Sequence, residues 1–237
     1  IMSKKLASGS DVIVLDVKVG EGAFMKTIEA ARELSTLMVK IGNNLGRKVV
    51  AFITDMSQPL GYAVGNKLEV IEAVNTLLGN GPEDLTELCV EIGSQMVHLA
   101  DIAPTLKDAR ALINTQITNQ EAYKKQLALF EAQGGHLPNL DTYVQVKEII
   151  EVKAKTAGYI KSIHALTIGV SAMKLGAGRQ TKDDVIDPDV GIVLNKKVSD
   201  KVEMGETLAY VYNNLDSVDD VLKDIEDAFE ITTEMVE

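Results

Sequence analysis

Val12-Ile13-Val14-Leu15-Asp16-Val17 and Lys48-Val49-Val50-Ala51-Phe52-Ile53-Thr54 decide the fold. Each is a short, nearly continuous run of apolar and β-branched residues. That pattern predicts strands buried on both faces and therefore a parallel sheet. Between the runs, Gly20-Glu21-Gly22 predicts a turn. Ile28, Ala31, Leu34, Leu37, Met38 and Ile41 then recur at helical spacing. Gly42 and Gly46 are expected to end that helix. Strand, helix and strand in this order form a βαβ unit.

Residues 1–8 read as the end of a helix closed by Gly9, with lysines in its last turns where they complement the helix dipole. The opening Ile1-Met2-Ser3-Lys4-Lys5-Leu6 carries no helix start signal, so the chain is expected to be part of a longer one. After the βαβ unit, a loop with Pro59 and Gly61 leads to helices at about 66–78, 83–101, 105–116 and 119–133. The character changes between 140 and 152. Residues 146–163 are β-branched, a helix is expected at 166–176, and strands at 190–194 and 207–212 flank the turn Met204-Gly205-Glu206. An acidic helix at about 216–229 closes the chain. The expected fold is thus α/β: a mixed, mostly parallel sheet with flanking helices, followed by a β-rich C-terminal region. A cut at 145/146 separates residues 11–145 from residues 146–237.

The 237 residues carry a formal net charge of -11 and are 46% hydrophobic, which suits a soluble globular protein. Such an acidic surface repels phosphate backbones and argues against nucleic-acid binding. No apolar run approaches a bilayer span and no signal peptide is visible. His98, His136 and His164 are far apart, which argues against a zinc site. The one cysteine, Cys89, lies in an apolar run and is expected to be a buried, inert thiol; a lone cysteine fits a reducing cytoplasm.

Three segments carry a family resemblance: Ser3-Lys4-Lys5-Leu6-Ala7 leading into Leu15-Asp16-Val17-Lys18-Val19-Gly20-Glu21-Gly22-Ala23-Phe24-Met25; Ile53 through Gly61 with Val64 through Val70; and Lys174-Leu175-Gly176-Ala177-Gly178-Arg179 with Asp187-Pro188-Asp189-Val190-Gly191. Together they resemble the thymidine and pyrimidine-nucleoside phosphorylases over essentially the whole chain. The resemblance implies that residues 1–10 finish a small helical domain and that the rest belongs to a larger α/β domain. It implies phosphorolysis of pyrimidine nucleosides such as uridine and thymidine, with phosphate as co-substrate, by a cytoplasmic homodimer. A strictly thymidine-specific phosphorylase is the alternative within the family.

The resemblance also implies site residues. Lys4 matches a lysine that touches the pyrimidine carbonyl, where an ammonium stabilises the departing base more than the neutral substrate. By spacing alone Lys4 is a solvated lysine near a helix end. Phe24 matches an apolar contact to the base, or is an ordinary core residue. Leu60 and Ala63, through backbone carbonyls, and Glu72, through its carboxylate, match the ligands of a potassium ion; oxygen-only ligation suits a hard cation. Glu69 is a neighbouring competitor for Glu72. The family's phosphate-binding residues have no counterpart here and belong to the N-terminal half of such a protein, so this stretch by itself is expected to be inactive.

Other readings compete. Gly20-x-Gly22 after a strand suggests a dinucleotide site, but Met25 stands where the third glycine belongs. Ala172-Met173-Lys174-Leu175 resembles a biotin-attachment tetrapeptide, and the flanking β-rich region resembles biotinyl and lipoyl domains. That reading makes Lys174 a carrier attachment site, although residues 166–175 read better as a helix than as a hairpin. A scaffold or regulatory fragment is the third alternative.

Overall fold

The computed structural model describes residues 1–136 and 139–236. Helix α1 (Met2–Ala7) leads into strand β1 (Val12–Val19), helix α2 (Ile28–Asn44) and strand β2 (Lys48–Asp55). β1 and β2 pair in parallel, from Val12 against Lys48 to Val19 against Asp55. The predicted βαβ unit is therefore present. Ile13, Leu15, Val17, Ala31, Met38 and Val49 form its core with Met2 from α1. β1 is covered less evenly than its sequence suggests, because Asp16 is exposed while Ile13, Leu15 and Val17 are buried.

Thr27 caps α2 by accepting a hydrogen bond from the backbone N–H of Ala30. Gly42 does not end this helix, as had been expected. It lies inside α2 and buried, where a Cβ would stand 2.2 Å from Val49 Cγ2. It is a contact point between helix and strand, and the chain turns only at Gly46, with φ +74.

A two-residue strand, β3 (Ala63–Val64), precedes helices α3 (Asn66–Leu77), α4 (Glu83–Leu99), α5 (Leu106–Thr118) and α6 (Glu121–Ala132). The β-rich remainder comprises β4 (Glu148–Lys153), β5 (Gly158–Ile163), α7 (Ala165–Ala172), a π turn at Met173–Ala177, β6 (Gly191–Leu194), β7 (Lys201–Val202), β8 (Thr207–Asn213), α8 (Asp219–Asp227) and β9 (Phe229–Thr232). One sheet has the order β3-β6-β8-β4 and another β7-β5-β9. A second core fills this region, with Ile160, Ile163, Ile168, Ile192, Leu208 and Val211 among its buried members.

The chain is a mixed α/β structure, but its sheets are not mostly parallel. Among the described residues β1–β2 is the parallel pair, and every pairing in the other two sheets is antiparallel. The cause of the miss is plain in β8, where Leu208, Ala209 and Val211 are all buried in an antiparallel setting. A continuous apolar run reports burial, not strand direction.

Cys89 is also a correction: it is exposed on α4. The buried face of that helix runs through Val90 and Ser94, which places Cys89 one position off it. Crowding by neighbouring protein still raises its thiol pKa above the ordinary value, which disfavours the thiolate.

Candidate active site

The turn between β1 and α2 sits at the C-terminal end of the parallel pair, where open α/β sheets place ligands. It is tied to the end of β2: Gly22 N–H donates to Met56 O at 2.9 Å, and Met56 N–H to Val19 O at 2.7 Å. The Glu21 carboxylate accepts from the Leu166 N–H at the start of α7, at 2.8 Å. On this braced turn Phe24 is 98% exposed, so it is not a core residue. Lys4 is exposed on α1.

The three residues singled out for a cation come together. Leu60, Ala63 and Glu72 line one cavity of about 420 Å³, with Glu69 at the same wall. Gly61 takes φ +67, a conformation that lets the chain turn sharply beside α3. Glu72 Oε1 accepts the N–H groups of Tyr62 at 2.8 Å and Ala63 at 3.0 Å. Ala63 lies opposite Val193, while Leu194 N–H donates to Tyr62 O. In an antiparallel ladder this alternation turns both polar groups of Ala63 away from β6, leaving its carbonyl off the ladder. Glu69, on the same wall, has one carboxylate oxygen engaged by the Gly65 N–H at 3.0 Å.

The electrostatics are those of a half-buried acidic hollow. Burial pushes the Glu72 carboxyl above its ordinary pKa, against the pull of its two N–H donors. Asp84 is also burdened by burial, but its hydrogen-bonded Lys197 ammonium outweighs that and holds it below the usual range. Burial and the surrounding carboxylates raise Tyr62. No cluster of three or more His, Cys, Asp or Glu among the described residues could hold a metal. The oxygen donors on this wall are the Glu72 carboxylate and the off-ladder Ala63 carbonyl, the kind of ligand a hard cation takes.

Lys4 and Phe24 do not line this cavity. Lys174 lies in the π turn after α7, not on a hairpin, and pairs with Asp224 at 2.6 Å. Sequence reasoning missed Asp84 and Lys197, which brace the Pro59–Gly61 turn. Glu83-Asp84 carried only the signal of a helix start, and Lys196-Lys197 carried none.

Comparison with known proteins gives the class: the chain belongs to the glycosyl transferase family, whose a/b domain matches residues 1–123. Residues 159–232 match the pyrimidine nucleoside phosphorylase C-terminal domain. The chain is 53% identical over 234 residues, 98% of its length, to the pyrimidine-nucleoside phosphorylase of Staphylococcus haemolyticus (strain JCSC1435). It is 52% identical over 239 residues, 100% of its length, to that of Staphylococcus aureus (strain USA300). It spans 54% and 55% of those two relatives, about half the length of each. Within the glycosyl transferase family, the resemblance read from the sequence is therefore to the pyrimidine-nucleoside phosphorylases.

Proposed function

We propose that this chain supplies the base-binding and cation-binding part of a pyrimidine-nucleoside phosphorylase. The observation that carries this reading is the convergence of Leu60, Ala63 and Glu72 on one cavity, in a chain that is 53% identical to a protein of that name. In the reaction, a phosphate oxygen bonds to the anomeric carbon of the sugar while the bond from that carbon to the pyrimidine nitrogen breaks. The electron pair of the broken bond passes to the base and spreads over its carbonyl oxygens. Lys4 meets that charge, donating a hydrogen bond that strengthens as the charge develops. Phe24 offers a flat apolar wall that orients the ring. The proton lost by the attacking phosphate passes to the base, and the products are free base and (deoxy)ribose 1-phosphate.

Both side chains face open solvent in this chain, so an enclosed base site requires a further covering surface. We assign that surface, and the phosphate-binding residues, to the N-terminal half of the same protein in a cytoplasmic homodimer. Leu60, Ala63 and Glu72 hold a potassium ion, whose charge would tie the 59–63 turn to α3.

Phosphate-dependent release of uracil from uridine and thymine from thymidine, by the whole protein carrying this chain, tests the reading. Comparable rates support the broad pyrimidine enzyme, and thymidine turnover alone supports the thymidine-specific one. Base release that does not require phosphate overturns both.

A further inference from the structure

The loop between β6 and β7 reaches back to the turn that precedes β3. Lys197 Nζ donates to Pro59 O and, at 2.8 Å, to Gly61 O, and it pairs with Asp84 Oδ2 at 2.8 Å. Its side chain is only 13% exposed. The loop is fixed at both ends of this contact: Val198 N–H donates to Gln58 Oε1 at 3.0 Å, and Asp200 Oδ2 accepts the Lys197 N–H at 2.7 Å. Asp84 closes the circuit by accepting the Gly61 N–H at 3.1 Å. A buried ammonium satisfied by two carbonyls and a carboxylate is a rigid three-point anchor.

The anchor and the proposed cation cavity meet at the 58–63 turn. Lys197 and Asp84 line a separate hollow with Gln58 and Tyr62, whereas Leu60, Ala63 and Glu72 line the cavity. The Pro59 and Gly61 carbonyls are drawn to the ammonium, while Pro59 and Leu60 both line the cavity.

We propose that Lys197 is a positioning residue for the cation site: by holding the Pro59 and Gly61 carbonyls from behind, it presents Leu60 and Ala63 to the ion. This rests on the potassium reading above. It makes the C-terminal β-rich region a working part of the ion site.

The sign of one measurement decides it. By charge alone, Lys197 repels a second cation, and its removal would tighten potassium binding. By position, its removal loosens the ligands and weakens binding. Potassium affinity is measured on the whole protein by calorimetric titration of KCl at ionic strength held with tetramethylammonium chloride, and by the potassium-induced rise in Tm. Lys197→Met is expected to weaken potassium binding about 10-fold, as loss of an outer-shell partner does. Potassium binding as tight as, or tighter than, that of the unmodified protein overturns the inference. If Lys197→Met does not fold, Lys197→Gln, which stays polar but is too short to hold both carbonyls, is read the same way. No saturable potassium binding in the unmodified protein defeats the ion reading and this inference together; normal binding that the variants leave unchanged defeats this inference alone.

Discussion

Gly61 and Glu72 are in contact so close that a Cβ on the glycine would stand 2.2 Å from Glu72 Oε2. Gly61 also has φ +67, its N–H goes to Asp84 and its carbonyl to Lys197. One residue thus joins the Glu72 carboxylate to the Lys197–Asp84 pair.

Gly61→Ala should be costly on two counts. The left-handed conformation costs a residue with a Cβ roughly 1–2 kcal/mol, and Glu72 must also move. Urea denaturation should show a loss of about 2 kcal/mol or more, with potassium binding lost in the folded fraction. A stability within about 0.5 kcal/mol of the unmodified protein, the range of ordinary surface changes, would show that the turn is not held as described.

Lys67 on α3 and Asp189 before β6 form a partly buried pair at 2.7 Å, with the Tyr143 ring 5.0 Å from the ammonium and the Gln145 N–H 2.8 Å from the carboxylate. Burial alone would raise the Asp189 carboxyl, but the Lys67 ammonium and the Gln145 N–H outweigh it and hold the group below its ordinary value of 3.8. A folded-state pKa below the unfolded one stabilises the fold above the unfolded value, and this is lost as pH falls through the folded value. Asp189→Asn should therefore cost about 2 kcal/mol at pH 7. The difference from the unmodified protein should shrink as the pH falls below 3.8. A difference independent of pH would contradict this assignment.

The carrier reading of Lys174 makes an opposite demand on the same molecule. Its amine is paired with Asp224 in a helical turn, whereas attachment sites of that kind need a lysine free on a hairpin. Intact-mass measurement of protein from cells with active biotin and lipoate ligases should give the unmodified mass. An adduct on Lys174 would revive the carrier reading.

Much of the fold was legible because it rests on local pattern. The β1–α2–β2 unit, the order of the later helices and the strands at β6 and β8 follow from apolar spacing and glycine placement. The strand directions of the C-terminal region did not follow, since burial on both faces of β8 arises from packing partners distant in sequence. The site was legible unevenly. The convergence of Leu60, Ala63 and Glu72 came from the family resemblance, with Glu69 a nearby competitor. Lys197 could not be foreseen, because its contact with Pro59 joins residues 138 apart through a loop with no motif of its own. Phe24 could be read either as core or as exposed wall, and only the braced turn shows it exposed.

The charge of Lys4 on the departing base is the claim on which the rest depends, and uridine phosphorolysis by the whole protein tests it directly. Steady-state rates for Lys4→Met are compared with those for Lys5→Met, using uridine and 5-fluorouridine, whose base leaves more readily. Lys4→Met should lower kcat/KM for uridine by about 10²–10³-fold, the cost of removing one charge-stabilising donor, with a smaller loss for 5-fluorouridine, while Lys5→Met stays near the unmodified rate. Equal rates for Lys4→Met and the unmodified protein on uridine would contradict the account.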